Sequence, residues 1–381
     1  MNKSRLRIIV GHGHSSIEVF HSLIPIILLA IEKKDIFDIR FVDYRFFSLN
    51  KFDGDLLIIV RKFKDNGFGD ICPAKIIEEI ESYRNRFSKI IYFEDSATLS
   101  SILFFLIPHV DSYWVRGILL DKSNYEKCFY GGRIFSEYYH DKYNIIDKKI
   151  SKSTFSVDPF SNKIKIAWNI GIGCLPTNKY NFFNRNYRLI KRSSCILSSL
   201  ELIYPLSLII KKYQKLMLEE LSTPIDEVNT IKKIGARFPF SHLSNSVGFQ
   251  RKFILDKISN NKLFVTGQLS NWEYIKESSS FRGMLSPFGW GEICYRDFES
   301  ALYRNVLIKP SMEHLLTWPN IYQPFTYFKL DWDFNNLDDL DEFISSNNQI
   351  IYYINNARKI YLDGLNQCSS RAYRMILDVI K

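Results

Sequence analysis

The chain has 381 residues, of which 46% are hydrophobic and 24% are charged, proportions that exclude a disordered chain and suit about two globular domains. The longest apolar runs, such as residues 23–31, are shorter than the ~20 residues that cross a bilayer. The formal net charge of +10 favours anionic partners, although basic residues this dispersed are equally compatible with a charge that only aids solubility.

The cysteine pattern argues against a structural zinc site and against a disulfide scaffold. No two cysteines form a C-x-x-C pair, and the six lie far apart in the sequence, at Cys72, Cys128, Cys174, Cys195, Cys294 and Cys368. The amino terminus runs directly into a predicted strand and lacks the apolar region of a signal peptide. We therefore expect a cytoplasmic protein, with any membrane contact peripheral and at the inner face.

The first half of the chain alternates between strands and helices. Apolar runs predict strands at residues 6–10, 39–42, 56–60, 89–93 and 112–115, with helices over residues 15–31 and 73–83. Such alternation is typical of an α/β domain with a parallel sheet and helices on both faces. We predict a Rossmann-like domain over residues 1–158.

The second half repeats this plan. An apolar run at residues 163–170, followed by a glycine turn, is interpreted as its first strand, and further strands are predicted at residues 230–237, 262–266 and 306–308. Helices are predicted over residues 247–258, 272–278, 337–344 and 350–380. We predict a second Rossmann-like domain over residues 159–360, and a terminal helix over residues 361–381 that crosses back to the first domain.

Residues 286–302 are the most informative stretch. Gly289 and Gly291 permit close backbone approach to a ligand, and Trp290 between them offers a flat face for stacking. A helix opening from this turn would place Glu292, Arg296 and Glu299 on one face and aim its N-terminus at a phosphate. The alternative is a solvated salt-bridge ladder at positions i, i+4 and i+7.

The pattern of this stretch resembles a known family. Gly289-Trp290 and Glu292, followed by Arg296 and Glu299-Ser300-Ala301-Leu302, is similar to the donor-site motif of GT-B glycosyltransferases, and most similar to that of exostosin-like enzymes. The match covers about thirty residues. It departs from the family at Arg304-Asn305-Val306, where many members carry a Gly-x-Pro-Val turn, and the two acidic residues are one position closer than in the retaining motif.

The resemblance implies a fold and a set of roles. The fold is GT-B, with two Rossmann-like domains facing a cleft. Glu299 would accept hydrogen bonds from the nucleotide ribose, Arg296 would help to neutralise phosphate, and the residues from Trp290 to Glu292 would lie against the diphosphate or the donor sugar.

Two further arginines are donor-site candidates. Arg237 follows a predicted strand and Arg251 lies early in the next helix, so both fall near the carboxyl edge of the second sheet, although ordinary surface charge explains them equally well. No Asp-x-Asp pair follows a predicted strand in the way that metal-dependent sugar transferases use one. We therefore expect a site without a metal or other cofactor, in which cationic side chains and a helix dipole stabilise the leaving diphosphate.

Candidates on the acceptor side lie in the first domain. His14, at the start of the first predicted helix, is our choice for the base that removes the acceptor proton, since the pKa of histidine lies near neutrality. A packing or capping role for His14 is the alternative, and Glu94 or Asp95 is the alternative base. Arg133 and His140 lie in segments that could line the cleft or form an interdomain corner.

The sequence thus predicts a glycosyltransferase that moves a sugar from a nucleotide-sugar to a hydroxyl of a glycan or lipid-linked acceptor, in the synthesis of a bacterial surface polysaccharide such as a capsule or O-antigen. A nucleotide-sugar epimerase on the same fold is the alternative enzyme. A non-catalytic glycan-binding or nucleic-acid-binding protein is the alternative outside enzymes. The basic residues are dispersed and no RNA-binding motif is present, so we expect no nucleic-acid partner.

Overall fold

The architecture was taken from a computed structural model, which describes residues 3–10, 14–43, 52–61, 72–100, 102–147, 150–152, 162–173, 203–241, 243 and 245–381. The first sheet is built from β1 (Ser4–Val10), β2 (Phe37–Asp43), β3 (Gly54–Val60), β4 (Phe87–Glu94), β5 (Ser112–Val115) and β9 (Ile164–Ile166). All its pairings are parallel, and its strand order is β2-β1-β3-β4-β5-β9.

The second sheet contains β10 (Ile231–Ala236), β11 (Phe264–Thr266), β12 (Phe281–Leu285), β13 (Val306–Pro310) and β15 (Tyr327–Leu330). Its pairings are also parallel, in the order β11-β10-β12-β13-β15. Numbered from their own first strands, both sheets begin with the order 2-1-3-4-5 of flavodoxin-like folds. The predicted α/β fold, with two Rossmann-like halves, is confirmed.

Two short antiparallel pairs complete the strands of the described residues. One joins β6 (Gly117–Leu119) to β14 (Leu315–Thr317), and the other joins β7 (Cys128–Tyr130) to β8 (Ile150–Lys152). The helices are α1 (His14–Glu32), α2 (Pro73–Ser82), α3 (Ile134–Tyr143), α4 (Ile203–Ser222), α5 (Asn245–Ile258), α6 (Asn271–Ser278), α7 (Tyr295–Tyr303), α8 (Asp339–Ser345) and α9 (Asn347–Ile380).

The central strands are continuous apolar runs because both of their faces are covered. Ile90, Ile91, Tyr92 and Phe93 of β4 are fully buried, and residues 56–60 of β3 are buried in the same way. Helices α1, α4 and α9 pack against one another on the first domain. This packing gives the two halves one shared apolar core.

One predicted strand belongs to the other domain. The apolar run at residues 163–170 was expected to open the second domain, but β9 pairs with β5 in the first sheet, with Tyr113 opposite Ile164. The expectation was wrong because the sequence signal, an apolar run followed by a glycine turn, is the same for the last strand of one sheet and for the first strand of the next. The predicted boundary at residue 158 falls in residues 153–161, outside the described part of the chain.

The two halves exchange elements. The C-terminal helix α9 crosses back to the first domain as predicted, where Ser369 donates a hydrogen bond to Glu32 (2.6 Å) and Arg371 donates to the carbonyl of Ala167 (2.7 Å). In the other direction, α3 packs on α5, and the hydroxyls of Ser136 and Ser246 lie 2.8 Å apart. The two halves are thereby joined by contacts in both directions.

Candidate functional site

Residues 286–294, which we call the glycine loop, join β12 to α7 at the carboxyl edge of the second sheet. The helix begins at Tyr295, with Cys294 as its N-cap residue. The expectation that Glu292 shares a helical face with Arg296 and Glu299 was therefore wrong. The start is set by Asp297, whose carboxylate accepts a hydrogen bond from the Cys294 N–H (2.9 Å). The apolar side chains of Phe298, Ala301 and Leu302 on this helix are buried.

The glycine loop touches the first domain at Gly291. A Cβ atom on Gly291 would lie 1.7 Å from the carbonyl oxygen of Ala97, which is far inside any contact distance. The next residue, Glu292, is fully buried, and one of its carboxylate oxygens accepts a hydrogen bond from the Leu99 N–H (3.3 Å). Only a glycine allows the two backbones to approach in this way.

The other carboxylate oxygen of Glu292 is buried without a hydrogen-bond partner among the described residues. Burial raises the pKa of Glu292, and the hydrogen bond from Leu99 and the charge of Arg133 only partly oppose this. A half-satisfied buried carboxyl group at the junction of two domains is a group poised to accept a hydrogen bond from a ligand or to exchange a proton.

Arg133 and Trp290, predicted on opposite sides of the cleft, lie in contact. The Nε of Arg133 donates to the carbonyl oxygen of Trp290 (2.7 Å), and its guanidinium lies 5.5 Å from the centroid of the indole ring. Trp290 remains 55% exposed, so its face is available to a ligand. Burial lowers the pKa of Arg133, although Glu292 acts in the opposite direction.

A buried polar cluster lies under the glycine loop, and sequence reasoning missed it. The Nζ of Lys309 lies 3.1 Å from Asp297, and both side chains are fully buried. Asp297 also accepts hydrogen bonds from the hydroxyls of Ser286 (2.5 Å) and Tyr322 (2.6 Å). A lysine within the apolar run of β13 was the signal that could have indicated it, because a buried lysine needs a partner.

Glu299 and Arg296 lie side by side on α7. Glu299 accepts a hydrogen bond from the hydroxyl of Tyr274 (2.9 Å). Burial raises the pKa of Glu299 and outweighs the opposing charge of Arg296. For Arg296, burial alone would lower the pKa, but Tyr274 and Glu299 outweigh it and the pKa is raised. The pair therefore combines a guanidinium and a carboxyl group whose pKa values are both raised.

The guanidinium of Arg296 lies between the loop that follows β10 and helix α6. Its Nη2 donates to the carbonyl oxygen of Arg237 (2.7 Å), the first residue after β10, and the guanidinium lies 5.8 Å and 5.9 Å from the ring centroids of Phe238 and Tyr274. Its Nε is buried with no partner in the described part of the chain. One donor of Arg296 is thus unsatisfied within the described part of the protein.

The two other candidate arginines are engaged within the protein. Arg237 forms a bidentate pair with Glu277, with N–O distances of 2.8 Å and 2.6 Å, and also donates to the carbonyl oxygen of Thr266. Arg251 is buried and donates to the carbonyl oxygens of Phe288 and Pro239, both at 2.9 Å. Arg251 therefore shapes the glycine loop, and Arg237 fixes the loop after β10.

The structure describes the side chain of only one of the two acceptor-side histidines. The side chain of His14 and all of residues 11–13 lie outside the described residues. His140 lies in the last turn of α3, where its ring contacts the carbonyl oxygen of Ile145 (3.0 Å) and packs on Tyr130. Both of these contacts join the ring of His140 to its own segment of the chain, residues 130–145.

The alternative bases both lie at the end of β4. Glu94 pairs with Arg61 (2.7 Å) and accepts a hydrogen bond from Tyr113 (3.1 Å). Asp95 is fully buried and accepts from Ser22 (3.3 Å), while its other carboxylate oxygen has no partner among the described residues. Asp95 is the less committed of the two.

His314 was not predicted. It follows β13 at the same sheet edge, and its ring centroid lies 5.1 Å from that of Trp332. Burial, with the charge of Lys309, lowers its pKa to about 4, and its Nε2 is buried without a partner in the residues described. The imidazole is therefore neutral near pH ~7.

Neither a metal-binding cluster nor a membrane-spanning helix occurs among the described residues. They contain no group of three or more His, Cys, Asp or Glu side chains arranged to hold a metal ion. None of the helices described is both long enough and apolar enough to cross a membrane.

No protein-family model and no curated protein matches the chain. Solved structures similar to it include Anabaena Alr3699/HepE in complex with UDP and glucose, with 8% identity, coverage of 98% of this chain and 100% of that chain, and a TM-score of 0.44. A glycosyltransferase from Rickettsia africae has 9% identity, full coverage of both chains and a TM-score of 0.43. UDP-GlcNAc 2-epimerase from Neisseria meningitidis, bound to UDP-GlcNAc, has 10% identity, coverage of 98% and 100%, and a TM-score of 0.41.

Proposed function

We propose that the chain is a GT-B-type glycosyltransferase that moves a sugar from a nucleotide-sugar to a hydroxyl of a glycan or lipid-linked acceptor. The observation that carries the proposal is the position of Arg296 and Glu299. They lie beside the loops that follow β10 and β12, the two neighbouring strands from which the second sheet continues in opposite directions. In open α/β sheets this topological switch point forms the crevice that binds a ligand.

The side chains at this crevice suit a nucleoside diphosphate. Glu299 is a carboxyl group able to accept hydrogen bonds from ribose hydroxyls, and Arg296 supplies a cation beside it with one donor unused. Trp290 of the glycine loop, which is 55% exposed, offers a stacking face. Glu292, with its free oxygen, would face the donor sugar.

In the proposed reaction the bond between the anomeric carbon and the diphosphate oxygen breaks, and a bond from the acceptor oxygen forms. Arg296 and the positive field of the site stabilise the leaving diphosphate without a metal. The acceptor proton passes to a base from the first domain. We assign this role to His14, with Asp95 as the alternative.

The base assignment predicts a specific loss. His14→Ala should lower the transfer rate by about 10²- to 10⁴-fold and leave nucleotide binding unchanged, because the base touches only the acceptor. Asp95→Asn is the matched comparison. A transfer rate in His14→Ala equal to that of the wild type would exclude His14, and a selective loss in Asp95→Asn would transfer the role.

A nucleotide-sugar epimerase is the second candidate, favoured by the raised pKa of Glu292, since epimerisation needs a group that exchanges protons at the sugar. One experiment separates the two. The protein is incubated with a panel of nucleotide-sugars, with and without glycan acceptors, and the products are analysed. Free nucleotide with a glycosylated acceptor supports the transferase, an epimerised nucleotide-sugar supports the epimerase, and no change in any donor rejects both.

A further inference from the structure

A second surface of the molecule combines exposed apolar residues with cations. It begins at the two-stranded ribbon formed by β6 and β14, whose inner residues are buried while Ile118, Leu120 and Leu316 point outward. Leu316 lies directly opposite Ile118, and Leu120 follows on the same side. Leu120 is 53% exposed and Leu316 is 41% exposed, whereas Ile118 between them is half-buried.

An open groove of about 520 Å³ continues from this ribbon. Its apolar wall includes Ile118, Ile164 and Ile166, together with Met375 from the end of α9. Four cations and one carboxylate also line it, namely Lys122, Lys165, Arg371, Arg374 and Asp378. We call this groove, with the outer face of the ribbon, the basic groove.

The cations of the basic groove are crowded. Arg371 donates to the carbonyl oxygens of Ala167 and Ile166 and lies 4.6 Å from the ring centroid of Trp318, so its position is fixed. Burial, together with the charge of Arg374, lowers the pKa of Arg371. Two guanidinium groups that repel one another are both stabilised when an anion binds between them.

The basic groove lies next to the candidate site. The Leu119 N–H donates to the hydroxyl of Tyr125 (2.9 Å), which donates to the carbonyl oxygen of Leu99 (2.9 Å). The N–H of Leu99 in turn donates to Glu292. Tyr125 and Leu99 therefore connect the ribbon, through hydrogen bonds, to the buried carboxyl group of Glu292 in the glycine loop.

We propose that the basic groove docks the protein on a membrane surface that contains anionic phospholipids. Exposed aliphatic side chains that enter the interface, flanked by lysines and arginines that meet the headgroups, are the combination by which a peripheral protein binds such a surface. The four cations of the basic groove exceed its one carboxylate by three positive charges, which attract lipid phosphates. The apolar wall of the groove contacts acyl chains. This proposal does not depend on the proposed catalytic function.

The test is sedimentation with vesicles. We expect the wild type to sediment with vesicles of phosphatidylcholine and phosphatidylglycerol in equal parts, but not with phosphatidylcholine alone, and to be released by salt. The double variant Lys165→Glu/Arg374→Glu should bind roughly thirtyfold more weakly or worse, since each lost cation near the surface costs about fivefold in affinity. Leu120→Ser/Leu316→Ser should also bind more weakly.

The matched control is Lys232→Glu/Lys359→Glu, which reverses two exposed charges outside the groove, one of them on the same helix α9. It should bind like the wild type. The proposal is overturned if the wild type stays in the supernatant with anionic vesicles, or if the groove variant and the control lose binding equally. If soluble glycerol phosphate releases the protein from vesicles, or if a DNA oligonucleotide binds the groove in place of vesicles, the groove is a site for a soluble phosphate or for nucleic acid. Either result would also overturn the membrane proposal.

Discussion

Glu292 is the residue at which the two halves of the molecule meet. Its carboxyl group is fully buried, contacts the backbone of the first domain, and keeps one oxygen without a partner among the described residues. Sequence reasoning singled out Glu292 but placed it on a helical face shared with Arg296 and Glu299. Its burial depends on Ala97 and Leu99, almost two hundred positions earlier, and no local pattern contains that information.

The raised pKa of Glu292 predicts a loss in the free energy of unfolding that depends on pH. Below about pH 4.5 the carboxyl group is protonated in both the folded and unfolded states, and this loss is absent. As pH rises from that value through the raised pKa, the unfolded state loses its proton first and stability falls. Glu292→Gln should therefore gain in melting temperature relative to the wild type as the pH rises above about 4.5. Glu342→Gln, at an exposed position on α8, is the control.

The readout is the change with pH in the difference in melting temperature between Glu292→Gln and the wild type. An effect of the amide that is the same at every pH does not contribute to this change. A difference that stays flat with pH, or that moves against the variant as pH rises, would show that Glu292 ionises as readily in the folded protein as in the unfolded chain.

At the scale of elements, the glycine loop is shaped by contacts from several parts of the fold. Asp297 fixes the start of α7 and gathers Ser286, Tyr322 and Lys309 beneath the loop. Arg251 holds the carbonyl oxygen of Phe288 from α5. The loop is thus positioned by buried polar groups, which are costly to leave unpaired.

Lys309→Met tests this cluster. Removing the ammonium leaves the Asp297 carboxylate buried without its counter-charge, and we expect a loss of about 3–5 kcal/mol in the free energy of unfolding. In the Asp297→Asn background the same change should cost much less, because no charge is then left uncompensated. Urea unfolding of the four proteins of the cycle measures the coupling. Additive costs would mean that the pair does not act as a unit.

Gly291→Ala tests the contact between the domains. The added Cβ would strike the backbone carbonyl of Ala97, which cannot rotate away, and we expect a loss of about 1–3 kcal/mol. Gly289→Ala is the matched comparison, because its nearest atoms are side-chain ends of Arg251 and Cys294 at 3.3 Å. Thermal melts should rank Gly291→Ala as the more destabilised, and the reverse order would contradict the contact.

At the scale of the whole molecule, the alternation of strands and helices was readable from the sequence. The predicted strands of the first half all occur within β1 to β5, because continuous apolar runs bounded by polar turns are local signals. The crossing of α9 to the first domain was also predicted. Pairing partners were less accessible, and β9 was assigned to the wrong sheet because strand pairing is a non-local property.

The candidate site was predictable in part. The glycine loop, Arg296 and Glu299 were found from their spacing, and the structure places all of them at the carboxyl edge of the second sheet. The engagement of Arg237 by Glu277 could not be foreseen, since the two residues lie on separate elements 40 positions apart. For the same reason Lys309 and Tyr322 were not linked to Asp297.

We propose that Glu299 and Arg296 bind a nucleotide-sugar, a claim that ligand-induced thermal stabilisation can test. Thermal stabilisation by a panel of nucleotide-sugars is measured for the wild type, for Glu299→Ala and for Glu342→Ala as a control. We predict that at least one donor stabilises the wild type and the control, and that Glu299→Ala binds it at least about tenfold more weakly, because hydrogen bonds to the carboxylate are lost. Stabilisation of the wild type by no donor, or equal stabilisation of Glu299→Ala, would contradict the claim.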